Sequence, residues 1–250
     1  VKTETEHRLR SARLGNERSI WIRPPYDGSR CEDLVVFFDA ELYRNKVGAA
    51  EIVEAFAAEP STPPTLFVFV SSESIASRWV ECPCHPPFVS FVEEELFPWL
   101  EKLHPDAASC RRRVAVGLSY TGLAASYIAM TAPGRFTKVV SQSGSYWWND
   151  GWLIEALRRS PVPPTAEFRL EVGRRETQTH VQHKQDVLQV MSQIEGVRRF
   201  RDALIEKGHA PTYVEFDGAH ECLAWGRALP AALRWALAPP SDAIDEETRI

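Results

Sequence analysis

An apolar, β-branched run at Val114-Ala115-Val116 drives into Gly117-Leu118-Ser119, and Tyr120-Thr121-Gly122-Leu123-Ala124-Ala125 follows with small residues and helix formers. Few arrangements admit that order. The pattern predicts a strand, a sharp turn and a helix, with the serine held at the open end of a sheet and small neighbours around it. The backbone N–H of Tyr120 would then point from a helix N-terminus at any anion formed beside the serine. Taken alone, Gly117 and Ser119 fit equally well a plain turn between a buried strand and a helix. The rest of the chain has to decide.

Buried strands alternate with helices along the sequence. Leu34-Val35-Val36-Phe37-Phe38 and Leu66-Phe67-Val68-Phe69-Val70 are continuous apolar runs of the kind covered on both faces in a parallel sheet. Further strands are expected at Phe136–Ser141, Phe168–Gly173 and Thr212–Phe216. Helices are expected at Ala49–Ala58, across Phe88–Leu100, and from Val187 through Leu204 as one long helix or two meeting at Gly196. Another is expected over Leu223–Leu237, with Pro230 inside it as the one place where it could break. Two short stretches joined through Gly15-Asn16 read as an antiparallel hairpin ahead of them. The fold expected is α/β: a mostly parallel central sheet with helices on both faces and an N-terminal hairpin. One domain over residues 1–238 and a polar tail over 239–250 account for the chain.

With 250 residues and a formal net charge of -5, the composition gives no electrostatic reason to expect nucleic acid as a partner. No apolar run is long enough to span a bilayer, and the charged start, Val1 to His7, is not signal-like. The five cysteines form no even framework, so free thiols and a cytoplasmic location are the expectation. Cys82-Pro83-Cys84-His85 crowds three potential metal ligands without a second cluster, so it reads as a loop and no metal site is expected. Glu93 to Glu95 read as a solvated helix face, and Arg111-Arg112-Arg113 as the solvated entry to the strand before Ser119.

A serine hydroxyl needs a base to take its proton, and the base needs a partner that fixes its tautomer. A serine at such a turn is expected to be followed in the chain by an acid and then a histidine, each just past the carboxyl end of a strand. Ser119, Glu176 and His220 satisfy that order. Of the seven histidines, only His220 directly follows a strand, in Phe216-Asp217-Gly218-Ala219-His220. The acid is more open. Glu171 falls inside a strand and Asp186 reads as the opening of the long helix, which favours Glu176; a dyad without an acid is the other possibility. A second oxyanion N–H is expected after the strand ending at Phe38, from Ala40 or Glu41.

With these residues in view, the chain resembles the enterochelin (siderophore) esterases of the esterase D branch of the α/β-hydrolases. The resemblance runs from Phe37-Phe38-Asp39 through Arg78 and Gly117-Leu118-Ser119 to Asp217-Gly218-Ala219-His220. Its most specific parts are Ser141-Gln142-Ser143-Gly144-Ser145-Tyr146-Trp147-Trp148 and Gly218-Ala219-His220-Glu221-Cys222-Leu223-Ala224-Trp225. It implies hydrolysis of ester bonds in a siderophore macrolactone, with Ser119 as nucleophile and His220 as base. Arg78, Trp147 and Trp148 are implied as pocket residues suited to an aromatic, anionic catecholate, although core packing is the competing reading of the tryptophans. The partner implied is a small-molecule ester, an apo or ferric siderophore, and no catalytic cofactor is needed. Two positions depart from the family pattern. Thr121 stands where a glycine is common, which bears on the pocket wall or on the helix–strand approach, and Ala40 follows Asp39 where a glycine is common. Rival readings are an esterase or acyltransferase acting on another ester or thioester, such as a feruloyl ester, and a binding protein that has lost catalysis on the same scaffold.

Overall fold

The computed structural model describes residues 4–238. It opens with the expected hairpin, β1 (Thr5–Ser11) and β2 (Asn16–Arg23). The two continuous apolar runs become β3 (Asp33–Phe38) and β4 (Thr65–Val70), buried at every position as strands covered on both faces must be. Between them lie α1 (Ala40–Leu42), which continues as a π-helical turn, and α2 (Ala49–Ala57). Next come α3 (Ile75–Glu81), α4 (Pro86–Ser90) and α5 (Phe97–Leu103), the last two joined by π-helical residues Phe91–Leu96. The glycine–serine stretch follows as β5 (Arg112–Leu118) and α6 (Tyr120–Thr131), then β6 (Lys138–Gln142), α7 (Trp148–Arg159) and β7 (Glu167–Gly173). A small hairpin, β8 (Val181–Lys184) and β9 (Val187–Gln189), precedes α8 (Gln193–Glu206), β10 (Thr212–Phe216) and α9 (Cys222–Leu237).

The main sheet has the order β1-β2-β4-β3-β5-β6-β7-β10. The β1–β2 and β2–β4 pairs are antiparallel, and every pair from β4–β3 to β7–β10 is parallel. Two cores result, one on each face. Val36, Phe38, Leu123, Ile128, Phe168 and Phe200 share the larger. Phe37, Phe69, Val116, Trp225 and Leu229 share the other, where Phe37 stacks on Phe69 with centroids 4.6 Å apart. Helix α6 runs through the larger core with apolar or small residues all round, so nearly its whole length is buried. Among the described residues, no helix is long and apolar enough to cross a membrane.

The structure corrects several expectations. Val187 lies in β9 and Met191 in the loop after it, so the helix opens only at Gln193, capped by Ser192 Oγ. Asp186 therefore does not open a helix; it sits in the exposed turn of the β8–β9 hairpin. Helix α9 continues through Pro230 without a break. Glu95 is not simply solvated, because its carboxylate accepts the N–H groups of Ala12 and Arg13 at 2.9 and 3.1 Å and so ties down the first hairpin turn. Arg112 is not a solvated entry either, since its guanidinium makes a two-pronged bond to the fully buried Asp33 at 2.9 and 2.6 Å. The Thr121 departure acts on the helix–strand approach. Its hydroxyl reaches back to donate to Leu118 O at 2.8 Å and accept from Leu118 N at 3.0 Å, and the side chain is buried. The tail from residue 239 lies outside the described residues.

Candidate active site

Ser119 stands between β5 and α6 with φ 54° and ψ -121°, a conformation that a side-chain-bearing residue holds only under constraint. The surroundings explain how it is reached. A Cβ on Gly117 would lie 2.1 Å from Thr121 O, and one on Gly122 would lie 2.7 Å from Ser141 Oγ and 3.1 Å from Gly144 Cα. Glycine at both places lets the helix turn back hard on its own strand. The Ser119 N–H donates to Gln142 O at 2.9 Å, which ties the turn to β6.

The chain order read from the sequence closes in space. His220, four residues past the end of β10, places Nε2 3.0 Å from Ser119 Oγ. Its Nδ1 lies 2.6 Å from Glu176 Oε2. Glu176 follows β7 in a tight turn, its N–H donating to Gly173 O at 3.0 Å, and is 5% exposed. Its other oxygen, Oε1, accepts from Gly173 N at 2.7 Å and from Ser143 Oγ at 2.6 Å. The carboxylate thus faces only donors. Glu171 is fully buried and engaged elsewhere, accepting from Arg169 Nε and Gln142 Nε2 at 2.7 and 2.9 Å, with burial raising its carboxyl above the ordinary range.

The two expected anion-binding positions meet at one end of the sheet. Tyr120 is the first residue of α6 and Ala40 the first of α1, and a helix leaves its first N–H groups without intrahelical partners. Their parent strands, β5 and β3, are neighbours. Asp39 turns the chain into α1 at φ 80° and is pinned by Arg78, whose Nε donates to Asp39 Oδ2 at 2.5 Å. Burial raises the Asp39 carboxyl, and the Arg78 charge opposes that rise. Glu41, next along, accepts the N–H of Ser72 at 3.0 Å on its carboxylate.

Ser119, His220 and Glu176 open on a cleft of about 320 Å³ that Trp147, His183 and Gln193 also line. Trp147 stacks on His183, centroids 4.9 Å apart and planes 7° from parallel, and donates from Nε1 to Gln193 Oε1 at 2.6 Å. Trp148 lies outside this cleft, in an adjoining one of about 780 Å³ shared with Trp79 and Lys184. Arg78 is not among the residues lining either; its guanidinium carbon is 5.8 Å from the Tyr120 ring, and its Nη2 is buried without a hydrogen-bond partner. Several residues at the site were not anticipated. Ser145 Oγ lies 3.3 Å from Ser119 Oγ, Ser143 contacts Glu176, and the β8–β9 hairpin forms one wall. The two serines belong to the string Ser141–Trp148, whose density of small hydroxyls was their only trace in the sequence. Cys82 and Cys84 are buried, and burial pushes the Cys82 thiol up to about 12.

Comparison with known proteins finds esterases of the same fold. The chain is 29% identical over 247 residues to the iron(III) enterobactin esterase of Dickeya dadantii, covering 91% of this chain and 53% of that protein. It is 28% identical over 236 residues to the protein of the same name from Escherichia coli strain K12, covering 90% and 54%. The crystal structure of the Shigella flexneri enterobactin esterase in the presence of enterobactin superimposes with a TM-score of 0.81 at 27% identity, over 93% of this chain and 58% of that one. The chain thus spans about half the length of the curated relatives it matches. The profile of the family described as "Putative esterase" matches residues 11–236, nearly all of the described chain, and the protein belongs to that esterase family.

Proposed function

We propose that this protein is a serine esterase that opens the ester bonds of a siderophore-like macrolactone through an acyl-enzyme. The observation that carries the reading is the continuous line Ser119 Oγ, His220 Nε2, His220 Nδ1, Glu176 Oε2, with steps of 3.0 and 2.6 Å either side of the imidazole. An ionised carboxylate only accepts, so Glu176 fixes the proton on Nδ1 and leaves the Nε2 lone pair facing the serine. His220 takes the serine proton as Oγ attacks the ester carbonyl, and the imidazolium that forms is stabilised by Glu176. The N–H of Tyr120 and one from Ala40 or Glu41 hold the oxyanion, with Arg78 positioning the second loop through Asp39. The imidazolium then protonates the departing alkoxide. Water repeats the sequence to release the acid.

The substrate class is supported by the relatives named for iron(III) enterobactin hydrolysis and by the aromatic wall of Trp147 beside the reacting serine. Iron, where present, belongs to the substrate. The expected site of action is the cytoplasm, where the five thiols would stay reduced.

The test is mass spectrometry of products after incubation with a catecholate trilactone and, separately, a simple aryl ester, for the wild type and Ser119→Ala. Opening of the trilactone by the wild type alone supports the reading. Cleavage of only the aryl ester keeps the serine chemistry and removes the siderophore assignment. Ser119-independent turnover overturns the mechanism.

A further inference from the structure

The acid of the proposed triad is held by groups that touch none of the reacting atoms. Glu176 Oε2 faces the histidine, and Oε1 receives Ser143 Oγ at 2.6 Å. That hydroxyl in turn receives Trp225 Nε1 at 3.0 Å, while the Trp225 ring meets the His220 ring edge to face with centroids 4.8 Å apart. Ser143 and Trp225 are both buried. The polarity of the chain is therefore fixed. An indole N–H can only donate and a carboxylate can only accept, so the Ser143 proton has one direction to point, at Glu176. Water has little access to substitute for it.

The backbone adds a second, independent observation. Ser143 has φ 48°, a left-handed conformation uncommon for a serine. It is held there from both ends, since its N–H donates to Glu171 O at 2.7 Å and its carbonyl accepts from Gln193 Nε2 at 2.5 Å. A serine following β6 in an ordinary extended conformation would aim its hydroxyl elsewhere. The strain is maintained where it turns one proton toward the acid.

We infer that Ser143, oriented by Trp225, is a positioning residue that holds the Glu176 carboxylate aimed at His220. This rests on the serine-esterase reading above. Its structural consequence is that the two most specific strings of the sequence, Ser141–Trp148 and Gly218–Trp225, meet as parts of one device. Trp225 serves both ends of the Glu176–His220 pair, packing on the base and orienting the group that orients the acid.

Kinetics with a chromogenic aryl ester test this in two backgrounds. Loss of a hydrogen bond to a charged, buried carboxylate predicts that Ser143→Ala lowers kcat by about 10- to 100-fold with KM within about twofold. In a Glu176→Ala background the same change is expected to lower kcat by less than about twofold, because its target is gone. Trp225→Phe is expected to give a smaller loss, which disappears when Ser143 is already alanine. Ser143→Gly, which accepts φ 48° without strain, should repeat the kcat loss, so backbone strain left in the alanine variant would not account for the result. Wild-type kcat in Ser143→Ala or Ser143→Gly overturns the inference, as does an equal fractional loss with and without Glu176. If Ser119→Ala retains activity, the esterase mechanism fails and the inference fails with it; if Ser119→Ala is inactive and Ser143→Ala is not, only the inference fails.

Discussion

Thr121→Val tests whether the elbow is held by the departure this chain carries. The substitution keeps the volume and β-branching and removes one hydroxyl. That hydroxyl closes a two-way bond with Leu118, donating at 2.8 Å and accepting at 3.0 Å, in a site where Thr121 is 1% exposed and Leu118 fully buried. Each bond contributes about 1 kcal/mol net, and a buried N–H left unmatched costs about 1–3 kcal/mol, so a loss of roughly 2–3 kcal/mol is expected. For a chain of this size that corresponds to a melting temperature lower by about 4–12 °C. Urea unfolding followed by tryptophan fluorescence reads it as a lower midpoint with unchanged slope. Thr121→Ser, which keeps the hydroxyl and loses a methyl, should cost about 1 kcal/mol. The reasoning is refuted if valine at 121 lies within about 0.5 kcal/mol of wild type, or if serine costs as much as valine.

Gly117→Ala is expected to be more severe, because the new methyl meets backbone at 2.1 Å rather than a movable side chain; about 3 kcal/mol or more should be lost together with fluorophosphonate labelling of Ser119, and retained labelling at normal stability would refute the steric account of the elbow. Cys31 and Cys110 stand opposite each other on the extension of the β3–β5 register, their Sγ atoms 3.5 Å apart. Diamide should convert this pair to a disulfide, the two thiols yielding two protons and two electrons to the oxidant; the mass falls by about 2 Da and a 31–110 crosslink appears in a non-reducing peptide map, whereas persistence of both thiols in the folded protein would refute that closeness. Glu215 is held below the ordinary carboxylate range by the Tyr213 hydroxyl and by Arg198 on the same oxygen. Its contribution is complete above the unfolded carboxyl's range and is lost as pH falls through the lower folded value, so the stability gap between wild type and Glu215→Gln, under about 1 kcal/mol at pH 7, should close on acidification. A gap that widens would reverse the sign.

What could be read from the sequence was what sterics and burial force into a pattern. A strand covered on both faces has no polar positions to spare, so β3 and β4 stand out as continuous apolar runs. The elbow shows because two helix-to-strand approaches exclude a Cβ, at Gly117 and Gly122. Ser119, Glu176 and His220 could be ordered because each stands just beyond a strand end. The β8–β9 hairpin escaped because it is short and mostly exposed, and Val187 and Met191 fall by chance in phase with the true helix after them. Arg112 and Glu95 looked solvated because charge alone does not reveal a partner distant in the chain: Asp33 for one, the hairpin turn at Ala12 and Arg13 for the other.

Ser143 marks the deeper limit. Its role depends on a left-handed backbone conformation and on an indole from a helix 82 residues further along, and neither leaves a periodicity or a spacing. The residues proposed to react sit at strand ends, whose positions the alternation of strands and helices dictates. The groups that aim them come from wherever the chain happens to return. A residue such as Trp225 is legible in sequence as a buried aromatic on α9, which it is. Only its indole N–H, directed at one serine hydroxyl while the ring flanks His220, separates it from the other core side chains of that helix. Truncation to phenylalanine keeps an aromatic ring in the core while removing that N–H, and the part of its kcat loss that disappears when Ser143 is already alanine is the part the N–H carries.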